Sequence, residues 1–310
     1  MSKESRSLRV KNLFLKDYIF LYIMLLPAIV YYIIFSYFPM YGLILSLKDY
    51  RPFNGIWGSK WVGLKHFEAM FADKLMWTAF RNTVAISLYK LVICFPLPII
   101  LTLFINEIRS RKYKRIVQTA IYFPRFLSWV IVAAIFSSFL SPQKGIVNSV
   151  LLELGLLKEP VYFLGSNSTI RGVYVFTEVW KSAGWGTVIY LAAITGINPE
   201  IYESAFLDGA GRFQRMRYIT LPGIMATISV MFILQIGSLM NANFDQVISF
   251  YNDLVRDKGD ILDTFVYRRG IINGQVGYST AAGLLKSVIN TFLLVGADRF
   301  SKRLGQDGFL

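Results

Sequence analysis

The sequence predicts an all-α integral membrane protein with six transmembrane helices, and three observations carry that prediction. Charged residues are only 17% of the chain and apolar residues 55%, whereas a soluble domain carries about 25% charged; the mean hydropathy is +0.47. The apolar residues gather into six stretches near the roughly 20 residues of helix that hydrocarbon requires. Basic residues collect on one side of those stretches.

Taken in order, the first stretch covers residues 18–38. It exceeds the roughly 7–15 residues of a signal-peptide core and no small-residue cleavage site follows it. It therefore reads as a retained first span behind a tail of residues 1–17. Residues 39–81 form a loop whose Trp57, Trp61 and Phe67 suit a partly interfacial helix. The next spans are expected over 83–105, 119–140, 173–197, 224–250 and 281–298. Pro27, Pro96, Pro98 and Pro124 fall inside or beside them, which membrane helices tolerate where neighbours re-satisfy the backbone. The domain plan is thus a tail over 1–17, a first span and loop over 18–80, a core of five spans over 81–300 and a tail over 301–310.

Six spans put both termini on one side. That side holds residues 1–17, about 107–118, about 198–222 and 299–310, where Lys and Arg are roughly twice as dense as opposite, so it is cytoplasmic. Arg109, Arg111, Lys112, Lys114 and Arg115 make the clearest case. The net charge of +14 follows from this flanking, and no dense basic run with interleaved aromatics points to nucleic acid. Cys94 and His66 are the only cysteine and histidine. Disulfide frameworks, cysteine or multi-histidine metal sites and serine–histidine or cysteine–histidine catalysis have almost nothing to use. Cys94 reads as a small packing residue, and His66 as a loop residue.

A polar insert at 198–222 separates the fourth and fifth stretches. Asn198-Pro199 offers an N-cap and a first-turn proline, and Glu200 and Glu203 suit a helix N-terminus. Tyr202, Ala205, Phe206, Ala210 and Phe213 recur at helical spacing and make one apolar face. Gly209 and Gly211 permit a sharp bend, Arg212, Arg215 and Arg217 follow, and Pro222 marks the start of the fifth span. On physics alone this is an amphipathic helix lying on the membrane surface or a short helix seated in a groove on a partner.

The string Glu203-Ser204-Ala205, three residues, Gly209, nine residues, Ile219-Thr220-Leu221-Pro222 resembles the "EAA" signature of ABC-importer permease subunits, with Ser204 where alanine is usual. A second resemblance, to the complex-carbohydrate branch of maltose-type importers, rests on Asn243-Phe244-Asp245-Gln246-Val247, Tyr251-Asn252, the run 260–268, Lys286-Ser287-Val288-Ile289 and 123–129. Together they cover about residues 80–310.

The resemblance implies a MetI-like, maltose-permease-like importer fold in a bacterial cell membrane, multi-pass, with cytoplasmic termini. It implies a heterodimer with a second EAA-bearing permease, a cytoplasmic ABC ATPase dimer, an extracellular sugar-binding lipoprotein and an oligosaccharide cargo. The EAA segment would be a coupling helix seated on the ATPase through Glu203, Ser204, Ala205, Asp208, Gly209, Ile219, Leu221 and Pro222. The chain itself would bind no cofactor and catalyse nothing, ATP and Mg belonging to the partner ATPase. In keeping with that, no string reads Gly-x4-Gly-Lys-Ser/Thr; the nearest, at 283–287, lacks the glycine before lysine.

A charge at bilayer depth costs about 2.5–3.5 kcal/mol even on insertion scales, so such residues should face an interior or a cavity. Glu178 and Lys181, three apart in the fourth span, are placed to pair on one helix face, flanked by Trp180 and Trp185, whose faces suit sugar rings; the alternative is an ion pair near the outer end. Ser238, Asn241 and Asp245 fall at i, i+3, i+7 in the fifth span and form a polar stripe for a sugar path, or for interhelical hydrogen bonds. Lys286 and Asn290 are a weaker version in the sixth. Lys90 is expected to snorkel or pair locally. Gly184 and Gly186 are expected to let helices approach. An intramembrane enzyme would need a clustered catalytic set, and a stand-alone secondary transporter would show inverted repeats and need no coupling helix. A permease for a non-sugar solute is the nearer alternative.

Overall fold

The computed structural model describes residues 3–303, with side chains described over 18–302. Residues 1–2 and 304–310, the ends of the two expected tails, lie outside the described residues.

Helix α1 (Lys3–Tyr32) passes into a wider turn at Ile33–Tyr37 and then a tighter helix over Phe38–Leu47. Pro39, near the start of that last piece, lacks the N–H that would continue the regular ladder. None of the first apolar span is buried within the chain. A two-residue hairpin, β1 (Lys48–Asp49) against β2 (Lys60–Trp61), pairs Lys48 with Trp61 and Asp49 with Lys60, antiparallel. Helix α2 (Lys65–Ala72) follows. His66 sits on it and its Nε2 lies 3.0 Å from the Lys48 carbonyl, so the expected loop histidine instead ties α2 to the hairpin.

Helices α3 (Lys74–Cys94) and α4 (Pro96–Asn106) form the second span, broken at Phe95 because Pro96 and Pro98 remove N–H donors. Helices α5 (Arg111–Tyr122) and α6 (Trp129–Phe139) bend by 101° around the Phe123–Phe126 turn. The expected span at 119–140 therefore contains a corner, made where Pro124 ends one helix and Ser128 caps the next by accepting from Ile131 N. Helix α7 (Ile146–Glu153) lies in the following loop. Helix α8 (Ile170–Ile194) starts three residues earlier than expected. Its Gly184 and Gly186 do permit close approach: an added Cβ would stand 2.1 Å from the Ile121 carbonyl oxygen and 2.8 Å from Pro98.

Helix α9 (Pro199–Leu207) forms the polar insert, and α10 (Met225–Gly237) follows a 60° bend. The expected fifth span at 224–250 does not continue: α10 ends at Gly237, an unwound stretch follows, and α11 (Phe244–Phe250) starts anew. Asn243 holds φ +69, which interrupts any helix passing through it. Helix α12 (Leu262–Tyr267) precedes the last span, α13 (Val276–Arg303).

Among the described residues, three helical runs are long and apolar enough to cross a membrane, or up to five if each bent pair counts as one span. Helix α8 carries Arg171, Glu178 and Lys181; it is long enough to cross but too polar to qualify by apolarity. The core sits where α3, α6, α8 and α11 meet, around Ile86, Phe136, Tyr174 and Val247. A second cluster joins α2, α3, α12 and α13 through Met76, Met240, Leu262 and Ala282. A third, Tyr190, Ile194 and Ile224, locks the end of α8 to the start of α10.

Candidate functional site

Two regions hold the polar residues that a membrane protein must explain: the insert at 198–222 and a buried cluster between α3, α8 and α11.

The insert is built as its residues dictate. The Asn198 side chain accepts from Glu200 N at 3.1 Å, and Pro199 stands in the first turn. At the other end Leu207 is the last helical residue, Asp208 is the C-cap and Gly209 adopts φ +78. Ala210 N donates to Ala205 O at 2.8 Å and Gly209 N to Phe206 O at 3.1 Å, the paired bonds of a Schellman stop. A glycine is needed because left-handed backbone strains any residue with a Cβ. Ser204 Oγ is tied to Glu200 O. The segment folds back onto itself through Tyr202 Oη and the buried Thr220 Oγ1, 2.9 Å apart. Ile219 and Leu221 are half-buried beside Thr220, and Pro222 is exposed.

The outward surface is the informative part. Glu203 and Asp208 are exposed, and so are Phe206 (65%), Leu207 (85%) and Phe213 (71%). The single apolar face expected from Tyr202 to Phe213 does not form. Gly209 ends the helix, so Tyr202 and Ala205 turn inward while Phe206 and Leu207 turn out and Phe213 belongs to the next turn. Leu207 escaped the sequence reading; its signal was an apolar residue off the inward stripe. Arg215 lies 5.7 Å from the Phe206 ring, and its buried Nε has no hydrogen-bond partner.

The buried cluster differs from expectation residue by residue. Glu178 does not pair with Lys181. Its Oε2 lies 3.3 Å from Lys90 Nζ and accepts from Asn243 Nδ2 at 2.9 Å, while Oε1 accepts from Ser182 Oγ at 2.8 Å. Lys90, buried and neither snorkelling nor paired locally, also donates to Ala242 O at 2.9 Å and to Gln246 Oε1. Gln246 then donates to Tyr174 O and Thr177 Oγ1 at 2.7 and 2.8 Å. Each polar group thus meets several partners, which a charge removed from water requires. Lys181 instead donates to the carbonyls of Arg125 and Leu127 at the α5–α6 corner and lies over Trp129. Trp180 packs edge-on to Phe136, and Trp185 against Tyr122 and Phe126.

The expected stripe of Ser238, Asn241 and Asp245 is split by the unwound stretch. Ser238 bonds back to Leu234 O, Asn241 lies in the turn, and Asp245 sits exposed on the first turn of α11. Lys286 is held by Asp263 at 2.6 Å and does not share a site with Asn290, whose Oδ1 accepts from Met240 N. A cavity of about 420 Å³ with a mixed polar and apolar lining opens beside the cluster. Glu178, Ser182, Gln235, Asn241 and Lys90 line it, with Cys94 and Tyr190. Of the cluster and cavity residues the sequence reading proposed Glu178 and Asn241 for a path, named Asn243 and Gln246 only within a family string, and did not name Gln235.

Above the cluster, Asn82 joins α3 to the last loop by donating to the carbonyls of Asp257 and Asp260, and it accepts from Arg171 Nη2 at 2.7 Å. Asp260 pairs with Arg268, which lies over Tyr251. Burial, then the Asp260 carboxylate, pushes the Tyr251 phenol up to about 12, so it stays protonated and donates to Asp253. No group of three or more potential metal ligands occurs among the described residues.

With this geometry in place, the family described as "binding-protein-dependent transport system inner membrane component" matches residues 94–306. The chain is 43% identical to protein LplB of Bacillus subtilis over 93% of its length and 90% of that protein. It is 40% identical to the polygalacturonan/rhamnogalacturonan transport system permease protein YteP of the same organism, over 99% of this chain and 94% of that one. A solved chain of a bacterial alginate ABC transporter in complex with an alginate pentasaccharide-bound periplasmic protein superimposes with a TM-score of 0.86. That chain is 38% identical, and the match covers 95% of this chain and 98% of the other.

Proposed function

We propose a function from one premise: the chain belongs to the family of binding-protein-dependent transport system inner membrane components. It is a multi-pass membrane permease with a MetI-like fold, a non-catalytic subunit of a sugar-importing ABC transporter, and it works with an ATPase, a second permease and a binding protein. The finer reading is that six spans cross the membrane with both termini cytoplasmic. The insert at 198–222 is then the coupling helix.

The observation that carries the coupling role is the outward surface of α9. Glu203 and Asp208 stand beside Phe206 and Leu207, exposed on a short helix fixed at both ends. Apolar side chains of that size, rimmed by charge and held rigid, suit a socket on a partner better than water. Ser204 and Ala205 keep the helix slim, Gly209 sets the turn, and Ile219, Leu221 and Pro222 join it to α10. Closure of a partner ATPase against this helix would move α10 through the 60° bend at Ile224.

For the cargo, two of the matched proteins are described by acidic polysaccharides, polygalacturonan and alginate. An acidic oligosaccharide is therefore the substrate class assigned to this chain. The path is the 420 Å³ cavity, with Glu178 and Asn241 the two expected path residues that line it. The test is uptake by the transporter reconstituted with its ATPase, second permease and binding protein. Labelled oligogalacturonides should enter in an ATP-dependent way and neutral malto-oligosaccharides should not. Uptake of a non-sugar solute with neither oligosaccharide accepted would overturn the cargo, and uptake with no ATPase would overturn the class.

A further inference from the structure

Helix α8 carries two hollows that the transport reading does not use. On one side lies an open groove of about 630 Å³ against α3 and α4, with Tyr89, Ile93 and Leu97 opposite Val175, Phe176 and Val179. Its other side faces a hollow of about 670 Å³ walled by Ile135, Phe139, Val147 and Trp180. The two share a ridge: Ser168, Gly172 and Phe176, spaced four apart, line both. Phe176 is 60% exposed and stands between them.

Three features of these hollows belong together. First, the pair is apolar along its length but charged at one end only. The charged side chains lining the groove are Arg171 and Lys258, both cationic, with the polar Asn167 and Ser168 beside them. Arg171 is held there by its Nε donating to Lys258 O at 3.1 Å and its Nη2 to Asn82. Second, the stretch from Ile170 to Trp180 rises about 15 Å at 1.5 Å per residue, which is one leaflet of a hydrocarbon core roughly 30 Å thick. Third, an added Cβ on Gly172 would meet nothing within 4 Å, so no neighbouring side chain needs a glycine there. A bare position on the ridge leaves room where the two hollows meet beneath the cationic end.

We propose that α8 binds one two-chain phospholipid with an anionic headgroup, straddling Gly172. One acyl chain lies in each hollow and the phosphate faces Arg171 and Lys258. A charged headgroup at one end, two apolar legs and a length of one leaflet match that molecule. A sugar acid would match the cationic end but leave both apolar hollows empty. On the proposed orientation the lipid belongs to the outer leaflet. The site shares no lining residue with the 420 Å³ cavity, so its loss and the loss of substrate recognition read differently.

The test is native mass spectrometry of the assembled transporter in mild detergent, titrated with palmitoyl-oleoyl-phosphatidylglycerol or with the matching phosphatidylcholine. The intact transporter should retain the anionic lipid preferentially. Each basic residue near a headgroup is worth about a fivefold change in binding, so Lys258→Gln should lower retention of phosphatidylglycerol about fivefold and leave phosphatidylcholine unchanged. Gly172→Leu should reduce retention of both lipids, because it fills the ridge; open space there means the helix should still form, and an unchanged melting temperature verifies this. Arg171→Gln also breaks the bond to Asn82, so Lys258→Gln and Gly172→Leu are the deciding variants. Equal retention of the two lipids, insensitivity to both variants, or displacement of phosphatidylglycerol by an oligogalacturonide would overturn the proposal.

Discussion

The insert at 198–222 and the cluster around Glu178 are both polar segments of one apolar chain, and they handle polarity in opposite ways. At Glu178 the chain satisfies itself: Lys90, Asn243, Ser182 and Gln246 come from α3, α8, α11 and the stretch before it and leave little unpaired. At the insert the helix is capped at both ends, yet Glu203, Phe206 and Leu207 face outward. The first pattern holds a bundle together. The second is the pattern that the proposed coupling role requires.

That contrast predicts a split between stability and transport. The largest stability effect should come from Lys90→Met, which strands the Glu178 carboxylate in the bundle and should cost about 3–5 kcal/mol, read as a lower melting temperature in detergent. Adding Glu178→Leu should recover most of that loss; failure to recover would mean the two residues do not act as a pair. Next comes Gly184→Val, where a Cβ 2.1 Å from the Ile121 oxygen forces α5 and α8 apart at about 1–3 kcal/mol. Gly209→Ala is smaller, roughly 1–2 kcal/mol for left-handed backbone, but it should depress uptake more than stability because it re-aims α9. At the small end, Leu207→Ala should leave the melting temperature unchanged and still weaken ATPase retention. A stability loss there would mean the leucine packs within its own chain.

Much of this was legible in the sequence where the cause is local. Asn198-Pro199 and Gly209 announce the two ends of α9 because caps depend on a few neighbouring residues. Gly184 and Gly186 announce close approach because no other residue allows it. The pairing of Lys90 with Glu178 was not legible: the two lie 88 residues apart, and helical spacing offered Lys181 as the nearer partner. The break in the fifth span was hidden for a similar reason. Its polar residues from Ser238 to Asp245 fall at helical spacing and read as a stripe on a continuous helix, while α11 restarts at Asn243, whose side chain donates to Glu178 and accepts from Gln246 N. The outward turn of Leu207 was not legible, because the apolar face read at helical spacing ran past Gly209 to Phe213 and left Leu207 off it.

The most direct measurement is ATPase retention and ATP-driven uptake by a transporter carrying Glu203→Lys, purified and reconstituted beside the unmodified one. A coupling role for α9 predicts normal membrane insertion and melting temperature, loss of most ATPase retention and loss of uptake. Unchanged retention and uptake would contradict the assignment of 198–222 as the coupling helix.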